Sequence, residues 1–255
     1  MEDFVLKLSV NLVPLLLAVV FHEVAHGWVA EKLGDPTARL MGRITLNPLS
    51  HVDLFGTIIL PLTLVLVKSP FLFGWAKPVP VQFGNLRGGR RAMAWVALSG
   101  PFTNLALAVV SALIYHLMLF LDARGLIPVS GILNQVAQPV FMMAQTSVII
   151  NLVLMVVNLL PIPPLDGGRV LVGLLPETLA TALARVERYG MLIVLLLIVT
   201  RAWSYLISPI LSVLEGLFLR LGRHRCRPPT LGRGTCKTVE TKTRSVISWQ
   251  SEKGS

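Results

Sequence analysis

Two histidines four residues apart, with a glutamate beside the first, form the segment His22-Glu23-Val24-Ala25-His26. On a helix, side chains at i and i+4 share one face about a turn apart, so both imidazoles can reach a single metal ion. In H-E-x-x-H sites the histidines hold zinc and the glutamate acts as general base toward water. Zinc supplies what this chemistry needs, because it lets water ionise near neutral pH. A catalytic zinc takes three protein ligands and keeps a fourth position open, so a third ligand must come from elsewhere. Asp166 is the candidate. It lies in Asn158-Leu-Leu-Pro161-Ile-Pro163-Pro164-Leu-Asp166-Gly167-Gly168, where three prolines and two glycines interrupt regular helix. A helix N-cap at Asp166 is the plainer alternative. His51 and Asp53 are rival ligands, for which satisfying turn backbone is the preferred reading. Two histidines and one aspartate suit several divalent metals, and the motif is what favours zinc.

The elements that must position these residues are apolar. Of 255 residues, 54% are hydrophobic and 14% charged, and the mean hydropathy is +0.71, which excludes an ordinary soluble domain. A spanning helix needs roughly 20 apolar residues, and residues 4–29, 92–121, 140–160 and 190–221 each supply them. The first stretch runs into His22 without a basic leader or a small-residue cleavage site, so it reads as a retained helix. Ionisable groups inside such a span are costly to desolvate and mark a functional site; buried histidines satisfied by carbonyls are the bland alternative. Gly34 and Pro36 are expected to end the first helix, with a polar loop following to about Asp53. Residues 54–67 are apolar but short and interrupted by Gly56 and Pro61, which predicts a re-entrant or interfacial hairpin beside an internal cavity. An external loop is expected from Asp122 to about Pro139. Residues 190–221 read either as one span or as a hairpin turning near Thr200-Arg201.

The formal net charge of +10 would suggest a nucleic-acid partner if it were spread over a surface, but residues 222–255 hold eight Lys or Arg against two Glu. That composition predicts a disordered basic tail, solvated or touching anionic lipid, after a membrane domain at residues 1–221. No nucleic acid is expected as a partner. Cys226 and Cys236 both fall in the tail, so no disulfide framework is expected. The basic segments 68–91 and 161–188 should face the cytoplasm, by the bias of short inner loops toward Lys and Arg. Counting back, His22 and His26 lie in the inner half of the membrane.

H-E-x-x-H in the first span, joined to N-x-x-P-x-P-x-L-D-G in a later one, resembles the site-2 protease family of intramembrane metalloproteases. Gly34-Asp35-Pro36-Thr37-Ala38, Asn47-Pro48-Leu49, Gly74-Trp75-Ala76-Lys77-Pro78-Val79-Pro80 and Gly100-Pro101-Phe102-Thr103-Asn104 are similar to segments of its short bacterial and archaeal members. The likeness covers about residues 10–220; the tail matches nothing in the family, and no PDZ domain is inserted between the spans. The resemblance implies an all-α polytopic membrane protein with a three-helix catalytic core, to which the predicted hairpin and one or more C-terminal spans would be added. It implies one zinc per chain on His22, His26 and Asp166, activation of water by Glu23, and cleavage within transmembrane segments of other proteins. It also implies a prokaryotic cell membrane with the site toward the cytoplasm. Asn158, and more weakly Asn104, would position the substrate backbone or the oxyanion. A membrane metal transporter and an inactive membrane scaffold are the alternative functions.

Overall fold

The computed structural model describes residues 2–67, 74–127, 131–200 and 202–220; the basic tail and Lys68 lie outside them. Among the described residues the chain is helical without strands. Its helices are α1 (Glu2–Lys32), α2 (Thr37–Leu40), α3 (Leu60–Leu66), α4 (Gly89–Ala123), α5 (Ile132–Asn158), α6 (Asp166–Leu174), α7 (Glu177–Val199) and α8 (Ala202–Arg220). Three of them, over Leu8–Lys32, Gly89–Ala123 and Leu133–Asn158, are long and apolar enough to cross a membrane.

α1, α4 and α5 pack on one another, and α8 closes against α5. Small side chains make the close approach possible: Ala18, Ala30, Ala97, Ala108 and Ala112 are buried between helices, as expected where lipid supplies no competing hydrophobic drive. Leu152, Val148 and Tyr115 fill the α4–α5–α8 contact, while Ala30, Met93 and Val96 fill the α1–α4 contact. The outer faces of the bundle carry exposed Leu12, Leu15, Val110, Leu113, Leu117 and Phe120, an apolar surface suited to lipid.

Several boundaries differ from the sequence expectation, each for a physical reason. Residues 54–67 do not turn back on themselves. Asp53 opens a π-helical turn over Leu54–Ile59 by accepting from the amides of Phe55 (3.0 Å) and Gly56 (2.7 Å), and α3 continues it. Pro61 lies within this continuous helical run, and the Gly56 carbonyl on the turn before it accepts from outside the helix instead. Gly56 is not a breaker but a contact, since a side chain there would enter the Trp75 indole. The return limb comes later: the Trp75 amide donates to the Gly56 carbonyl (3.2 Å) and the Lys77 amide to that of His51 (2.9 Å). α5 begins at Ile132 and runs through Pro139, so the loop expected to reach that proline ends early; membrane helices absorb proline where neighbours satisfy the freed carbonyl. The segment 161–188, expected as a loop, contains α6 and the first turns of α7. The helical run after Gly190 breaks at Thr200 into α7 and α8, in favour of the second reading of that stretch.

The turn after α1 is held by a buried carboxylate. Asp35 is fully buried and accepts from the Thr37 amide (3.2 Å) and hydroxyl (2.5 Å), the Gln82 amide (2.7 Å) and the Asn85 side chain (3.1 Å). Burial pushes its pKa up, but the hydrogen bonds from Thr37, Asn85 and Gln82 outweigh this and hold the carboxyl below its usual range. A depressed carboxyl stabilises the fold above its unfolded value of about 3.9 and loses that contribution as pH falls through the lower folded value. Asp35→Ala leaves these donors without partners and is expected to destabilise the protein by about 3 kcal/mol. Chemical unfolding in detergent above pH 5 would show it, and an unchanged midpoint would remove Asp35 from this role.

Candidate metal centre

His22 and His26 come one turn apart from α1, on the face turned toward α4. Their Nδ1 atoms are both committed: His22 Nδ1 lies 2.6 Å from Asn104 Oδ1, and His26 Nδ1 lies 2.7 Å from the Val96 carbonyl oxygen. Both partners are acceptors, so each Nδ1 carries the proton and donates. Each Nε2 is left with a lone pair, the tautomer a metal requires.

Asp166 reaches the same point from α6. The chain leaves α5 at Asn158, turns through Pro161, Pro163 and Pro164, and starts α6 at Asp166 with Leu165 in the N-cap position, so Asp166 is not the cap. Gly167 and Gly168 let that first turn lie directly on the loop backbone: side chains there would collide with the Leu159 and Leu160 carbonyls and with Pro163. Asp166 Oδ2 lies 3.1 Å from His22 Nε2 and 3.3 Å from His26 Nε2, and the two Nε2 atoms are 3.1 Å apart.

With both imidazoles neutral, three buried acceptors face one another, and Asp166 Oδ2 has no hydrogen-bond donor. Such an arrangement is repulsive unless a cation sits at its centre. Tetrahedral zinc with bonds of about 2.0 Å has ligand–ligand edges of about 3.3 Å, close to the triangle seen here. Among the described residues, His22, His26 and Asp166 are the group of metal-ligating side chains that converges in this way. The donor set and its spacing fit zinc.

Glu23 stands beside the cluster without joining it. Its Oε2 accepts from the Val79 backbone amide at 2.8 Å. Val79 lies between Pro78 and Pro80, which have no N–H and favour extended backbone, so the Val79 amide is presented alone.

Residues 10–200 match the family described as Peptidase family M50. The chain belongs to that family, the site-2 protease family. This M50 chain is 37% identical over 209 residues to "Putative zinc metalloprotease YwhC" of Bacillus subtilis (strain 168), across 82% of the chain and 89% of that protein. It is 31% identical over 213 residues to "Putative zinc metalloprotease Rip2" of Mycobacterium tuberculosis (strain ATCC 25618 / H37Rv), across 81% of the chain and 74% of that protein. A protein of the same name from Mycolicibacterium smegmatis (strain ATCC 700084 / mc(2)155) is 31% identical over 188 residues, across 73% of the chain and 65% of its own length. No solved structure matches the chain. With its spanning helices, the M50 chain is a multi-pass integral membrane protein of a metalloprotease family.

The remaining sequence candidates separate cleanly in the M50 structure. Asn104, weighed as a weaker substrate contact beside a packing role, is completely buried and bonded to His22. Asn158 is half-buried at the end of α5, where its Nδ2 donates to the Leu154 carbonyl at 3.0 Å. His51 donates from Nε2 to the Thr45 carbonyl (2.9 Å), and Asp53 caps the π-turn; neither joins the metal cluster. Sequence reasoning missed Gly100, whose lack of a side chain leaves room for both imidazoles, as well as Val79 and Asn151. The segments Gly100-Pro101 and Pro78-Val79-Pro80 were visible signals of special backbone, but nothing local tied them to His22 or Glu23.

Proposed function

We propose that this protein is a zinc endopeptidase that hydrolyses peptide bonds inside transmembrane segments of other membrane proteins. The observation that carries this reading is the placement of the three-acceptor cluster between spanning helices. His26 is six residues from Lys32, about 9 Å of helix rise, and His22 is about 15 Å from it, so the cluster lies within a hydrocarbon layer about 30 Å thick. A polypeptide reaching it must itself enter the membrane. One zinc per chain would be held by His22, His26 and Asp166 and would supply Lewis acidity for ionising water near neutral pH.

This chain's own residues divide the remaining work. Glu23 takes the proton from water: Oε2 is anchored on Val79, which leaves Oε1 for proton transfer. Asn158 would meet the substrate backbone or the oxyanion at the rim after its Nδ2 leaves the Leu154 carbonyl. The substrate helix must unwind locally, because helical backbone hides its carbonyls from attack.

The cytoplasmic side of a prokaryotic cell membrane is the proposed location of the site. The two basic segments read from the sequence lie at one end of the bundle: Arg90 is 3.9 Å from Glu177, and Arg169 lies over the Phe83 ring at 5.7 Å. Asp166 opens the helix that carries Arg169, so the cluster is nearer that end, and inner-side enrichment of Lys and Arg gives the orientation.

The test is cleavage of single-span substrates by the purified full chain in detergent. Cutting within the span, lost on chelation and restored by one equivalent of zinc, is the expected result. Zinc flux in liposomes without any cleavage would establish a transporter instead.

A further inference from the structure

Behind the metal cluster runs a string of buried polar side chains that the proposed chemistry does not use. Asn104 on α4 donates from Nδ2 to Asn151 Oδ1 on α5 (2.9 Å) and to the Ala18 carbonyl on α1 (3.2 Å). Asn151, 1% exposed, donates from its own Nδ2 to the Ser147 carbonyl (2.9 Å) and the Ser147 hydroxyl (3.2 Å), and Ser111 Oγ meets Ser147 Oγ at 2.8 Å. Polar groups at this depth are expensive unless paired, and these pair with one another.

The string has a direction. A backbone carbonyl only accepts, so Ser147 O forces the Asn151 amide to present Nδ2 to it and Oδ1 to Asn104. Asn151 Oδ1 and Ala18 O then both require the Nδ2 side of Asn104. Its Oδ1 is thereby turned toward His22 and receives the Nδ1 proton. If the Asn104 amide were reversed, Nδ1 of His22 would have to accept, and the imidazole proton would move to Nε2, the atom that faces Asp166 and His26. An Nε2 that carries a proton cannot bind metal.

We infer that Asn151 is a positioning residue for His22: by fixing which way the Asn104 amide faces, it keeps the Nε2 lone pair of His22 on the metal. The inference rests on the zinc reading above. Its origin is a main-chain carbonyl of α5, so the third helix of the core controls a ligand on the first without touching it.

Zinc affinity of the purified full chain, measured by competition with a chromophoric chelator, tests this through a double-mutant cycle. Asn151→Leu is expected to weaken zinc binding about fivefold, below the roughly 10–100-fold losses that follow removal of a ligand's direct support, since Ala18 still orients Asn104. Asn104→Asp presents two equivalent oxygens and has no orientation to lose. In that background Asn151→Leu is expected to cost nothing or to improve affinity, because it removes an acceptor facing a carboxylate. Asn151→Asp, kept neutral by burial so that its hydroxyl donates to the Ser147 carbonyl and its carbonyl oxygen accepts from Asn104, is expected to stay within about twofold of wild type and serves if the leucine variant does not fold. An equal loss from Asn151→Leu in both backgrounds, or an equal loss in the aspartate and leucine variants, would overturn the inference and leave Asn151 as packing. Absence of zinc binding in the wild type would instead remove the reading beneath it.

Discussion

Replacing Glu23 by glutamine is expected to lower hydrolysis of a single-span substrate by about 10³-fold while the protein still binds one zinc, because loss of a general base costs about 10²–10⁴-fold. The argument depends on what the substitution keeps. Glutamine has the same shape, and its side-chain carbonyl can accept from the Val79 amide as Oε2 of Glu23 does at 2.8 Å. The metal cluster is built without Glu23, from Nε2 of His22, Nε2 of His26 and Oδ2 of Asp166. What disappears is the capacity to take a proton. The measurement is turnover together with zinc per chain in both proteins. Parallel loss of zinc would make Glu23 a ligand, and activity within tenfold of wild type would mean another group accepts the proton. A transporter would show changed metal flux in the variant and no cleavage in either protein.

The parts of this site that can be read from sequence are those whose signal is local. His22, Glu23 and His26 fall within five residues, and the periodicity of a helix alone puts both imidazoles on one face. Asp166 is marked by the prolines and glycines that end α5 and seat α6. The groups that make these ligands competent are not local: Asn104 meets His22 across 82 residues, Val79 meets Glu23 across 56, and Val96 meets His26 across 70. Their sequence signatures, a glycine before a proline and a valine between two prolines, announce unusual backbone and do not name the partner. Element boundaries failed for a related reason. Pro139 and Pro61 read as breaks under rules learned in water, whereas apolar helices packed on neighbours carry Pro139 inside α5 and Pro61 inside the run from the π-turn into α3. The division of residues 190–221 was left open by charge, and the break at Thr200 supplies what charge could not.

One methyl group on α4 should remove the metal site. A Cβ added at Gly100 would stand 2.5 Å from His26 Nε2, 2.6 Å from His22 Cε1 and 2.7 Å from His22 Nε2, inside the space where ligand atoms meet metal. The clash cannot be relieved by rotating the imidazoles, because His22 would give up Asn104 and His26 would give up the Val96 carbonyl. Nor can α4 withdraw, since Val96 lies one turn before Gly100 and Asn104 one turn after it, and both are bonded to α1. Alanine also favours helix over glycine by about 1 kcal/mol, so α4 itself gains. Gly100→Ala is therefore expected to weaken zinc binding by more than about 100-fold, beyond the losses seen for outer-shell changes, and to abolish cleavage; the metal-free protein carries the same overlap and is expected to lose about 1–3 kcal/mol of stability, as overpacked cores do, offset in part by the helix gain. Gly84→Ala, at a position where an added Cβ meets nothing within 4 Å, is the control and should bind zinc as wild type does. Zinc titration and thermal unfolding of both metal-free proteins decide the matter: wild-type affinity in Gly100→Ala would show that the two imidazoles do not meet their metal against this face of α4.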